Sequence, residues 1–295
     1  MKKIIFDLRS TTKKAFLLFF LILFNSLLAN NSIAICAMFK NEAPYLKEWI
    51  EFHRIIGVDH FYLYNNCSDD NYYEILEPYI ATGIITLVDW PYFCSGNWDD
   101  VQIKAYNNCL KYVADKYFWL AIIDVDEFIV PVTSNTLCEF LDSYKSYAGV
   151  EISWQNYGTS FLDEIPENKT MLEMLIYKAP KNSKRNANCK SICQPRYVKK
   201  LGIHTNEYLR NRLKGVTFPF RTNDSDLRSV DVIRIQHYWT RTENYFKEKK
   251  IPRLKSNEQY KYTFEKAESK RAESNSEIDT TALRFIPELR KRLNL

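Results

Sequence analysis

Two aspartates separated by one residue, Asp124 and Asp126 in FWLAIIDVDEFIVP over 118–131, are the residues whose types and spacing point most directly to chemistry. The apolar run Phe118–Ile123 is short and is followed by three carboxylates, which reads as a buried strand delivering acids to a sheet edge. Side chains alternate along a strand, so Asp124 and Asp126 are expected on one face roughly 7 Å apart, with Val125 and Glu127 on the other. A small hard cation takes one or two protein carboxylates and fills its remaining positions with water and substrate phosphates. The pair therefore suits a metal-held diphosphate, and a solvated turn after a core strand is the competing reading.

The elements that must position this pair follow from the flanking pattern. Ser32–Phe39 reads as a buried strand, with Asn41 as N-cap and Pro44 in the first turn of a helix. Leu46, Trp49, Ile50, His53 and Ile56 recur at helical spacing before Gly57 closes that helix. Val58–Tyr64 and Ile84–Val88 read as strands and Val101–Tyr117 as an amphipathic helix, which gives β-α-β spacing around the aspartates. Thr136–Lys145 reads as a helix, and Gly149–Trp154 and Val232–His237 as later strands. Ligands of open α/β sheets sit outside the carboxyl ends of the strands, where Asn41, Glu42, Asn65 and the aspartates fall. No G-x-G-x-x-G and no G-x-x-x-x-G-K occurs, so neither a dinucleotide fingerprint nor a P-loop is supported.

The net charge of +5 is unevenly spread. Residues 15–176 carry eight Lys/Arg against 22 acids, and residues 177–215 carry eleven against one. An acidic body beside a basic segment suits a bound cation and a bound diphosphate, and lacks the single dominant basic stripe of a nucleic-acid binder. Five Lys/Arg precede an apolar run over 15–29, broken only by Asn25 and Ser26. That length is near a signal-peptide core and shorter than a comfortable membrane span, and no A-x-A site follows. A single-pass anchor and a cleaved secretory signal both remain open, with the side of the membrane unassigned. The seven cysteines show no paired C-x₂-C with His, and Cys189 and Cys193 could bridge in an oxidising compartment.

Several separated pieces, in order, resemble the motifs of glycosyltransferase family 92. They are KNEAPYLKEWIEFHRIIGVDHFYLYNN, Gln102 through Cys109, WLAIIDVDEFIVP, SWQNYGTS, CKSI with His204, and IQHYWTRTENYFKEK. The resemblance implies a GT-A-type α/β fold, a mixed central sheet flanked by helices with a C-terminal helical extension. With the basic and apolar segment set apart as 1–31, a signal or membrane anchor, it implies a catalytic domain 32–240 followed by an extension 241–295. It also implies metal-dependent transfer of a hexose, galactose favoured, from a UDP-sugar donor to a glycan or glycoconjugate acceptor, with inversion. Asn65, Tyr157 and Gln236 depart from the residues the family is expected to carry there.

On that resemblance Asp124 and Asp126 are candidate ligands of Mn²⁺ or Mg²⁺, with His237 as a third ligand or a diphosphate partner. His204 is a second histidine for such a role. Asn41, Glu42, Asn65, Asp124 and Lys190 are candidate donor contacts, and Trp154 and Tyr157 candidate acceptor platforms. Inversion needs a base for the acceptor hydroxyl. Asp163, Glu164 and Glu173 are the candidates, each with surface charge as its alternative. Two other functions share the carboxylate edge: a metal-dependent phosphohydrolase, and a non-enzymatic glycan-binding scaffold.

Overall fold

The computed structural model describes residues 32–91, 98–210, 220–221, 230–256 and 264–295. The basic and apolar segment before residue 32 lies outside them, and among the described residues no helix is long and apolar enough to cross a membrane.

The strands are β1 (Ile33–Phe39), β2 (His60–Asn65), β3 (Ile85–Asp89), β4 (Trp119–Ile122), β5 (Glu127–Pro131), β6 (Gly149–Asn156), β7 (Tyr177–Lys178), β8 (Cys189–Cys193), β9 (Val198–Lys200), β10 (Glu207–Tyr208), β11 (Phe220–Arg221), β12 (Ile233–His237) and β13 (Glu277–Ile278). The helices are α1 (Ala43–Ile55), α2 (Tyr72–Ala81), α3 (Trp98–Val113), α4 (Leu137–Asp142), α5 (Met171–Met174), α6 (Glu243–Tyr245), α7 (Ile251–Ser256), α8 (Phe264–Glu273) and α9 (Ile286–Leu293). The main sheet runs β3-β2-β1-β4-β8-β6-β12-β5, with β11 beside β6. The β1–β4 strands are parallel, β8 is antiparallel to both its neighbours, and β12 pairs parallel with β6 and antiparallel with β5. This is the mixed sheet, flanked by helices, expected of a GT-A-type fold.

All seven residues of β1 are buried because the strand is covered on both faces. On one side α1 lays down Leu46, Trp49, Ile50 and Phe52; burying each such side chain contributes about 1.5–3 kcal/mol. Polar groups then fix the helix in place. Trp49 Nε1 donates to Glu127 O at 2.8 Å, and His53 Nε2 accepts from Ile129 N at 3.2 Å while Nδ1 donates to Trp49 O at 2.8 Å. The first helix therefore holds the start of β5.

The stretch around the aspartates differs from the single strand expected of it. β4 ends at Ile122, and residues 123–126 form a turn closed by Glu127 N donating to Asp124 O at 3.1 Å. The chain leaves β4 in the first half of the sheet and enters β5 at its far edge, so strand alternation does not govern Asp124 and Asp126. Asn41 also differs. Its side chain accepts from Asp69 N, its φ is +55°, and the α1 N-terminus is met by Asp70 Oδ2 accepting from Ala43 N at 2.9 Å. Cys189 and Cys193 are both free; four residues apart on one strand, their separation far exceeds disulfide reach.

Beyond Thr240, in the stretch expected to form a helical extension, the chain returns to the sheet. β13 pairs with β7, Arg234 on β12 forms a buried ion pair with Asp279, and Phe285 packs edge-on to Phe52. Gly158 makes one of these joints possible: a Cβ there would strike the Asn275 side chain and Ser274 O. Asn275 Oδ1 accepts from Ser160 N at 2.8 Å and its Nδ2 donates to Thr159 Oγ1 at 3.1 Å. Much of SWQNYGTS is thus a socket for the C-terminal segment.

Candidate active site

The aspartate turn gives its two carboxylates different partners. Asp124 Oδ1 accepts from Gln102 Nε2 at 2.6 Å and from Tyr106 Oη at 3.2 Å, both on α3, and Oδ2 accepts from Lys190 Nζ at 2.8 Å. Lys190 lies on β8, is 1% exposed and also faces Glu127 at 3.4 Å. Burial opposes its charge, but the two carboxylates hold its pKa above the ordinary lysine range. Glu127 is fully buried, and that burial pushes its carboxyl well up against the pull of Lys190.

Asp126 faces His237 Nε2 at 3.8 Å and Lys250 Nζ at 3.9 Å, both too long for hydrogen bonds. Burial works against its ionisation, yet the facing His237, Lys250 and Arg241 groups hold its carboxyl well below the usual range. His237 is buried, pushed down to about 4 by desolvation, and so neutral near pH 7. Its Nδ1 has no hydrogen-bond partner among the described residues.

Around this pair stands a wall of rings and cations. The Trp154 ring lies 4.2 Å from that of His237 and 5.4 Å from that of His204. Lys250 and Lys270 place their ammonium groups 4.7 Å and 4.3 Å from the Trp239 ring centre, and Lys270 also lies 5.9 Å from Trp154. Neither ammonium has a hydrogen-bond acceptor among the described residues. Burial pushes Lys250 down to about 8 and Lys270 to about 7. Behind them Arg241, 1% exposed, ion-pairs with Glu42 between the rings of Tyr45 and Tyr245, at 3.7 Å and 4.5 Å.

Of the residues singled out in the sequence, Asp126, His237 and Trp154 meet here, with Asp124 and Lys190 adjoining. Several expected roles are corrected. Asp124 accepts from protein donors at both oxygens, and the carboxylate that faces His237 is that of Asp126; among the described residues no three His, Cys, Asp or Glu converge as a metal cluster. Lys190 is a buried counter-ion of Asp124, with no free charge for a phosphate. Asn65 is buried and spends its amide on Tyr72, Asp89 and Ser68 N. Tyr157 is 1% exposed, accepts from Gln236 Nε2 at 2.7 Å and packs on Tyr238, so it offers no face to an acceptor.

The proposed bases fare similarly. Asp163 and Glu164 are exposed beside Asn244, and Glu173 is bound by Lys169 at 2.6 Å and Arg290 at 3.1 Å. Lys250, Lys270 and Arg241 were missed because charge runs ordinarily mark solvated faces. The aromatic residues interleaved with Arg241 and Lys250 in HYWTRTENYFKEKK were the available signal for those two, and Lys270 had none.

A sequence profile of glycosyltransferase family 92 matches residues 31–285. The chain belongs to that family. A family 92 protein of Oryza sativa subsp. japonica is 30% identical over 141 residues, covering 46% of this chain and 23% of the relative. A galactan beta-1,4-galactosyltransferase of Arabidopsis thaliana is 28% identical over 222 residues, covering 72% of this chain and 42% of the relative. The chain thus spans less than half the length of these two family relatives. Among solved structures, glucosyl-3-phosphoglycerate synthase of Mycobacterium tuberculosis, in complex with Mn²⁺, UDP and glucosyl-3-phosphoglycerate, aligns with a TM-score of 0.35 at 13% identity, covering 66% of this chain and 71% of that one. The family match extends past Thr240, where the sequence suggested a boundary.

Proposed function

We propose that this family 92 chain transfers a hexose, galactose favoured, from a UDP-sugar to a hydroxyl of a glycan or glycoconjugate, with inversion at the anomeric carbon. The observation that carries the reading is the Asp126–His237 pair, set 3.8 Å apart beside two ammonium groups that lack hydrogen-bond acceptors. A carboxylate, a neutral imidazole and nearby cations are what a metal-bridged diphosphate requires. The galactosyl preference comes from the name of the Arabidopsis relative.

The residues present fit a divalent cation: the neutral His237 turns Nε2 toward the ionised Asp126 carboxylate at 3.8 Å without a hydrogen bond, and substrate phosphates would complete the shell. Mn²⁺ or Mg²⁺ held there would neutralise charge developing on the leaving diphosphate. Lys250 and Lys270 add fixed positive charge on the same side, where a low dielectric strengthens it. Lys190 and α3 hold Asp124 so that its backbone fixes the turn, and Trp154 offers an apolar face for a sugar ring. We further propose that residues 15–29 attach the chain to a membrane, which fractionation of the full chain against a version lacking residues 1–31 tests.

The deciding experiment is calorimetric titration of UDP into the full chain with and without Mn²⁺, on wild type and Asp126→Ala. Metal-dependent binding of micromolar strength that the substitution abolishes supports the donor site. A folded wild type that binds no UDP under any metal condition overturns it, and release of product from UDP-galactose that never depends on an acceptor sugar would indicate a hydrolase instead.

A further inference from the structure

Six acids near the site are committed. Asp124, Glu127, Glu42 and Glu173 each face Lys or Arg, Asp126 faces His237 and Lys250, and Glu243 is bound by Arg271 at 2.7 Å. A transferase still needs a group to take the acceptor proton. His204 offers one, because its surroundings decide which ring nitrogen is free. Its Nδ1 lies 2.9 Å from Cys189 O, an oxygen that can only accept, so Nδ1 carries the hydrogen and Nε2 keeps its lone pair. Nε2 has no hydrogen-bond partner among the described residues.

The backbone holds that ring in place. Ser191 Oγ donates to His204 O at 2.7 Å, and Cys189 Sγ approaches the same oxygen at 3.7 Å, which ties the residue to β8 beside Lys190. The half-buried imidazole meets the Trp154 ring edge-on, and Trp154 in turn contacts His237. One indole therefore separates the proposed metal ligand from His204. The charged groups acting on His204 are Lys190 on β8, Asp124 in the turn and Asp99 on α3. Burial, then Lys190, lowers its pKa, which keeps the ring neutral at pH 7.

We propose that His204 Nε2 is the general base of the reaction, receiving the proton of an acceptor hydroxyl seated against Trp154. This inference rests on the transferase reading above. As the acceptor oxygen bonds to the anomeric carbon, the bond from that carbon to the β-phosphate oxygen breaks and UDP leaves with the electron pair. The acceptor's proton passes to Nε2, and the imidazolium then returns it to solvent.

The test uses the full chain with Mn²⁺, UDP-galactose as donor and β-1,4-galactotetraose as acceptor, on wild type, His204→Ala, His204→Gln and Asp99→Asn. General-base loss predicts kcat down about 100-fold or more in both His204 variants. UDP affinity should stay within threefold of wild type, and the acidic limb of the kcat profile should vanish. Nitrogen-15 spectra of wild type at pH 7 should show an Nδ1–H ring besides that of His53, whose Nδ1 also faces a carbonyl, and this second signal should be missing from His204→Gln. A kcat within threefold of wild type in His204→Ala, an Nε2–H tautomer, or loss confined to Asp99→Asn overturns the inference. A wild type that neither binds UDP nor turns over the donor removes the transferase reading first, whereas binding and turnover that survive His204→Ala defeat this inference alone.

Discussion

Lys190 Nζ and Asp124 Oδ2 stand 2.8 Å apart with the lysine 1% exposed, so the first aspartate of the motif is neutralised from within the sheet. The ammonium also serves Glu127, and removing it leaves two carboxyls with no cation in contact. Breaking a buried pair from one side costs about 3–5 kcal/mol, because the remaining charge keeps its desolvation penalty. Lys190→Met should lower stability by that amount in urea unfolding at pH 7.5. Adding Asp124→Asn should recover part of it, since an amide needs no counter-ion; no recovery would mean the lysine acts through packing alone.

Lys270 should make nucleotide binding depend on pH. Its pKa is pushed down to about 7 by burial, so in the free protein the ammonium is increasingly lost above that pH. A diphosphate favours the charged form and must then draw in a proton. UDP affinity should accordingly weaken as pH rises from 7 to 9, over a range where the diphosphate's own charge is nearly constant. Lys250, pushed down to about 8, titrates in the same range, so Lys270→Met should reduce the slope and leave the part that belongs to Lys250, while weakening binding about tenfold at pH 6.5, the scale of one charge-assisted hydrogen bond. Calorimetry across pH checks both; a variant that keeps the wild-type slope assigns the titration to another group.

How far the sequence carried the reading depends on where burial was decided locally. The β1–α1–β2 unit, β3 and α3 were legible from periodicity and Gly57, since each buries its own apolar stripe. The aspartate turn was not, because Val125 and Phe128–Val130 continue the apolar run and no Gly, Pro or Asn marks the corner. The β8 strand was hidden in a basic block; CKSIC is a core strand only because Asp124 and Glu127 neutralise Lys190. Asp126 and His237 meet across β5 and β12, which pair antiparallel, and the resemblance pointed to both. Lys250 and Lys270 reach them only through packing of distant helices. The chain widens before Pro252: Pro252 has no N–H to offer Glu248 O, and a π turn spans Phe246–Lys250.

Glu48 should impose a second pH dependence, this time on folding. Its carboxyl accepts from Met171 N at 2.8 Å and Leu172 N at 2.9 Å, yet burial pushes its pKa up to about 7. A carboxyl whose pKa is raised on folding stabilises the native state fully below its unfolded value, and that contribution disappears as pH rises towards the folded value. Between pH 4.5 and 7 the wild type should therefore lose about 1–2 kcal/mol relative to Glu48→Gln, after allowance for partial solvent screening. Paired urea titrations at pH 5 and pH 7.5 measure the difference directly, and parallel profiles for the two proteins would show that the native carboxyl titrates normally.

Arg241 joins the late chain to the end of β1, and its role can be separated from that of its charge. The residue has φ +48°, unfavourable for a side chain with a Cβ, and is held there by Glu42 and by the rings of Tyr45 and Tyr245. Burial raises the Glu42 carboxyl, Arg241 draws it back down, and Asp126 pushes it up again. Arg241→Met should cost about 3–5 kcal/mol by stranding Glu42. Arg241→Lys should lose less while still forfeiting the stacked planar fork. If the pair's worth is mutual neutralisation, Glu42→Gln with Arg241→Met should be more stable than Arg241→Met alone, and a double-mutant cycle in thermal unfolding reads the coupling. A coupling near zero would assign the arginine's contribution to the two tyrosine faces.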